Sequence, residues 1–102
     1  MYYTVESYFY NGSYTGMEEW EPEENFHSKE NAMKRALEFV DEIEKINKIS
    51  LKKIEHSTGI RWEWDDEAEY KAKYPYGPYR CSRIWQVFLS EVDEASLPDF
   101  VD

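Results

Sequence analysis

Between Ser28 and Lys48 (SKENAMKRALEFVDEIEKINK) apolar residues recur at the spacing of a helix. Ala32, Met33, Ala36, Leu37, Phe39, Val40, Ile43 and Ile46 share one broad face. Lys34, Arg35, Glu38, Asp41, Glu42, Lys45 and Lys48 fall opposite. Ser28 is placed to cap the first turn, and Phe26 just ahead of it can pack on that turn. A face of this breadth needs a cover. The other apolar residues lie in short Tyr-, Trp-, Val- and Ile-rich stretches, so the expected cover is a sheet. With Leu37, Phe39 and Ile43 buried in it, truncating any of them to Ala costs about 2 to 5 kcal/mol.

The stretches on either side alternate instead. Tyr2–Tyr10 (YYTVESYFY) directs Tyr3, Val5, Ser7 and Phe9 one way and Tyr2, Thr4, Glu6, Tyr8 and Tyr10 the other. Asn11-Gly12 is a preferred pair for a two-residue hairpin turn. The returning strand is predicted over Ser13 to Trp20, at an edge because Gly16 and the first acids weaken it, with Glu21 to Phe26 a connection around Pro22. Ser50 to His56 is compatible with a strand, and Ser57-Thr58-Gly59 reads as a turn. In the strand Ile60 to Asp65, Ile60, Trp62 and Trp64 oppose Arg61, Glu63 and Asp65. Asp66 to Lys73 suits a short helix, which the loop YPYGPY (Tyr74 to Tyr79) cannot continue. Arg80 to Val92 has the longest strand pattern: Trp85, Val87 and Leu89 on one side, Ile84, Gln86, Phe88 and Val92 on the other. A strand apolar on both sides is central, or meets a partner with its second face. Asp93 to Asp102 reads as a flexible acidic tail or a short docking segment.

The expected architecture is one compact α+β domain over residues 1–102. A four- or five-stranded, mainly antiparallel sheet carries one long amphipathic helix on one face, in the order ββαβββ.

Charge changes the picture most. Twenty-two acids against twelve bases give a formal net charge of −10. The excess collects in Glu18 to Glu24, Glu63 to Glu69 and Glu91 to Asp102, each with five carboxylates and no Lys or Arg. Such a chain is repelled by nucleic acid and anionic membranes and attracted to basic protein surfaces, although acidity also serves solubility alone. Lys45, Lys48, Lys52 and Lys53, and Arg80 with Arg83, are small basic patches against that field. The opening MYYTVESYFY has no basic region and no long apolar run, so the expected location is cytoplasmic.

Recognisable reaction chemistry is sparse. One cysteine, Cys81, and two histidines, His27 and His56, supply no spaced metal-ligand set, and no glycine-rich phosphate cradle occurs; no cofactor and no metal are expected. Cys81 in an aromatic strand reads as a small buried hydrophobe. His56, beside a turn and next to Glu55, lacks a visible orienting partner, so a small enzyme using carboxylates or His56 is the remotest of the readings.

The reading that fits best is a non-enzymatic, protein-binding module. Its first candidate residues are Glu63, Asp65, Asp66, Glu67 and Glu69, and its second Glu18, Glu19, Glu21, Glu23 and Glu24. Tyr74, Tyr76 and Tyr79 add aromatic contact area on a restricted loop. Carboxylates two residues apart on a strand lie about 6.8 Å apart. That is twice the roughly 3.4 Å axial rise per phosphate on one DNA strand. The expected partner is therefore a basic groove of a nucleic-acid-binding protein. In size, acidity and aromatic content, the chain resembles small inhibitors encoded by phages and other mobile elements against host nucleases and defence complexes. The alternative is a structural or adaptor subunit that forms homo-oligomers through its second apolar strand face.

Overall fold

The computed structural model of the chain describes residues 1–11, 16–77, 83–93 and 97–102. The elements are β1 (Tyr2–Tyr10), β2 (Glu18–Phe26), α1 (Lys29–Asn47), β3 (Lys52–His56), β4 (Gly59–Asp65), α2 (Glu67–Lys73) and β5 (Ile84–Val92). All five strands form one sheet in the order β2-β1-β5-β4-β3, every neighbouring pair antiparallel. The last strand in sequence is thus the central one, as its two apolar sides imply. α2 stands where a short helix was an option, so the element order is ββαββαβ.

α1 lies over β1, β5 and β2. Its start is fixed by Ser28, whose Oγ accepts from the Asn31 N–H at 3.2 Å, and its end by Lys48 in the left-handed region at φ 55°. Ala32, Ala36, Phe39, Val40 and Ile43 are buried against Val5, Phe26, Trp62, Val87 and Leu89. Two members of the expected helical face are outside this core: Leu37 is 49 % exposed and Ile46 65 %. They stand at opposite margins of the stripe, and one sheet covers only the arc between them.

β2 overturns the expected boundary. It spans Glu18–Phe26, so the presumed connection is itself strand, although Pro22 has no N–H to donate. An edge position accommodates this. The register with β1 slips between Val5 and Ser7 and again between Ser7 and Tyr8, so the extra β2 residues bulge out around Pro22 and Trp20. The Ser7 hydroxyl takes up the displaced Glu21 N–H at 3.1 Å. Trp20 is thereby turned onto Phe39 and Trp85, with ring centroids 5.8 Å away in each case. Gly12 of the expected turn, the Ser13 to Thr15 start of the expected returning strand, and the Arg80 to Ser82 start of the last strand lie outside the described residues.

Candidate acidic sheet face

α1 covers one side of the sheet, and the strand registers define what stands on the other. One row across all five strands reads Glu19, Tyr8, Gln86, Glu63, Lys52. The next reads Glu6, Phe88, Arg61, Ile54, with Glu23 beyond Glu6 at the bulge. Acids occupy the β1–β2 side and the cations Arg61 and Lys52 the β4–β3 side. Tyr8 and Phe88 meet edge to face at 5.9 Å in the middle, and both are half-buried.

The carboxylates on the two sides differ in compensation. Glu63 accepts from Gln86 Nε2 at 3.0 Å and lies 3.2 Å from Arg61 Nε, an ion pair without hydrogen-bond alignment. Among the described residues no cation forms an ion pair with Glu6, Glu19 or Glu23. Instead Tyr8 Oη donates to Glu6 Oε2. That bond, then burial, then the charges of Glu6, Glu19 and Glu23 raise the Tyr8 pKa far above its ordinary value. Glu23, exposed as a residue, has its pKa pushed up by loss of water around its carboxyl and then by Glu6 and Glu19. Negative charge is concentrated here, and no described cation pairs with it.

The structure scatters the residues that sequence grouped. In the first set Asp66 is only 7 % exposed; its Oδ1 accepts from the Arg83 N–H at 2.9 Å, and Oδ2 lies 3.7 Å from Arg83 Nε. Asp65 caps the Glu67 N–H at 2.9 Å, Glu67 pairs with Lys71 at 3.0 Å, and Glu69 is exposed on α2. In the second set Glu24 turns to the helix side and holds Arg35 at 3.0 Å. Glu18 stands opposite Phe9 and Glu21 opposite Ser7, leaving Glu19 and Glu23 on the open face. Tyr74 leans on Tyr70 at 5.1 Å, Tyr76 is 99 % exposed, and Tyr79 and Cys81 lie outside the described residues. Glu6 and Tyr8 were not among the sequence candidates. The signal for them was their shared face in β1, which acquires meaning only when β2 brings Glu19 and Glu23 alongside.

His56 is exposed at the β3–β4 turn and lines a cavity of about 260 Å³ with Lys29, Glu55, Ser57 and Glu91. No hydrogen bond orients its ring among the described residues. Nor do those residues group three or more His, Cys, Asp or Glu as a metal site, or include a helix long and apolar enough to cross a membrane.

Fold and face together define a small acidic α+β protein with one sheet surface left uncovered by its helix. Comparison with protein-family models, curated proteins and solved structures finds no match.

Proposed function

We propose that this protein is a non-enzymatic binding module whose acidic sheet face occupies a basic groove of another protein, one that ordinarily holds nucleic acid. It acts there as an inhibitor by standing in for phosphates. The observation that carries the reading is the uncompensated trio Glu6, Glu19 and Glu23 around Tyr8, within a chain of net charge −10. Glu6 on β1 and Glu19 and Glu23 on β2 stand on strands about 4.8 Å apart, a spacing of the same order as that of phosphates along a nucleic-acid strand. Tyr8 and Phe88 add a desolvated centre, and the net charge steers the encounter. Retention of partners from a cell lysate at low and at roughly 0.5 M salt tests this, because the Debye length shrinks below the reach of surface charges. Supporting the reading is a nucleic-acid-binding protein or nuclease that is released by salt and displaced by duplex DNA.

A second reading rests on the apolar part of the same surface. Ile54, Ile84 and Phe88 are half-buried on the side away from α1, and self-association through them makes the chain an oligomer-forming subunit. Self-association that survives high salt, with no DNA-displaceable partner, favours this over the first reading.

A further inference from the structure

The C-terminal residues do not trail away from the sheet. Phe100 stacks on the His27 ring with centroids 3.6 Å apart and meets the Tyr2 ring edge-on at 5.6 Å. The Val101 N–H donates to the Asn25 carbonyl at 2.8 Å, a strand-like bond on the outer edge of β2. The Asp102 carboxylate then closes over the start of α1: Oδ1 accepts from the His27 N–H at 2.8 Å. Oδ2 accepts from the Ser28 N–H at 3.1 Å and from Asn31 Nδ2 at 2.9 Å.

In a common capping arrangement a Glu or Gln three residues after the cap reaches back to the cap's own N–H. Here that position is Asn31, which is shorter and donates its amide to Asp102 instead. The helix start is thus completed by a carboxylate from elsewhere in the chain. An aromatic cradle, a backbone acceptor and a three-donor carboxylate seat lie in a row, each filled by one of three consecutive residues.

We propose that this cleft, formed by the end of β2, the first turn of α1 and the Tyr2 ring, is a peptide-binding site for an aromatic-x-aspartate segment of a protein partner. Phe100, Val101 and Asp102 are its resident occupant. The occupant is exchangeable because its contacts are local: Leu97 is 68 % and Val101 61 % exposed, and what seats the segment comes from three consecutive residues, of which Phe100 is half-buried. Tethering gives it an effective concentration on the order of mM, which an incoming segment has to exceed or bypass. A second copy of this chain is the weaker candidate. Two molecules of charge −10 repel, and a swapped tail makes no contact that the closed one lacks.

The test uses the full chain carrying F100A and D102A, which empties the cleft, and an acetylated, amidated peptide LPDFVD as probe. The peptide is expected to bind this variant at least about tenfold more tightly than the wild-type chain, whose cleft is filled. Replacing the final Asp of the peptide by Asn is expected to weaken binding about tenfold or more, since hydrogen bonds to a charged group are lost. Absence of binding to a folded variant, or equal binding of the Asn peptide, overturns the proposal. Hydrogen exchange on the wild-type chain gives a reading even if the variant does not fold. The His27, Ser28 and Val101 amides are expected to exchange well ahead of those of Val5 and Val87. Exchange in step with that core makes the segment part of the core and sinks the idea. A dimer in light scattering that F100A/D102A abolishes assigns the cleft to a second copy and overturns the choice of partner. None of these outcomes depends on the acidic face.

Discussion

Phe39, Ile43 and Leu37 look alike in sequence and differ in place. Phe39 and Ile43 are almost wholly buried under the sheet, so Phe39→Ala or Ile43→Ala is expected to cost about 2 to 5 kcal/mol in urea denaturation. Leu37→Ala, at a half-exposed margin, should cost less than about 1 kcal/mol, the range of substitutions away from the core. Spacing gives the direction of the stripe but not its width, which depends on how far a sheet reaches around the helix. Gly59 makes a different demand. A Cβ there would fall 2.1 Å from the Leu89 carbonyl oxygen, backbone against backbone, because β5 passes close to the β3–β4 turn. Gly59→Ala is therefore expected to destabilise by on the order of 1 to 3 kcal/mol, read from the same denaturation curves. In the sequence Gly59 reads only as a turn residue; the close approach belongs to the sheet.

At the scale of elements, the helix and the central strand were legible because each has one unambiguous pattern over nine or more residues. β2 was not. Its acids and Pro22 argue against a strand locally, and pairing with β1 at an edge overrides them. The acidic face was hidden for the same reason, since Glu6 and Glu23 become neighbours only through that bulged register. Glu23 and Asp102 have pKa values shifted in opposite directions. Glu23 holds its proton more tightly in the fold than its ordinary value of 4.5 allows, so its repulsion from Glu6 and Glu19 is relieved as pH falls from neutral toward that raised value. Asp102 is held far below its ordinary 3.8 by Asn31 first, then by the His27 and Ser28 N–H groups, with its own burial opposing. Its contribution is complete above 3.8 and is lost as pH falls toward the lower folded value. Denaturation midpoints are thus expected to rise as pH is lowered from neutral toward 4.5 and to fall as it is lowered below 3.8. Glu23→Gln flattens the first limb and Asp102→Asn the second.

For the whole molecule, what matters is where charge is left over. Removing three charges from the open face, with Glu6→Gln, Glu19→Gln and Glu23→Gln, is expected to weaken capture of a basic partner at least about tenfold at physiological salt. The control removes three from the outer side of α1, with Glu38→Gln, Asp41→Gln and Glu42→Gln, and should change it less than about threefold. Equal losses would make net charge alone responsible. The open-face triple variant should also be the more stable protein, since it ends a repulsion that folding creates.

The bulges in β2 reach beyond geometry. A chain with strands this rich in Tyr, Trp, Val and Ile carries the ingredients of fibrils, and its edges are where growth would begin. At β2 a newcomer meets a proline that cannot donate, a backbone twisted out of register, and carboxylates that repel any further copy of the same strand. The irregularity that makes this segment hard to recognise as a strand also opposes polymerisation along it in a crowded solution.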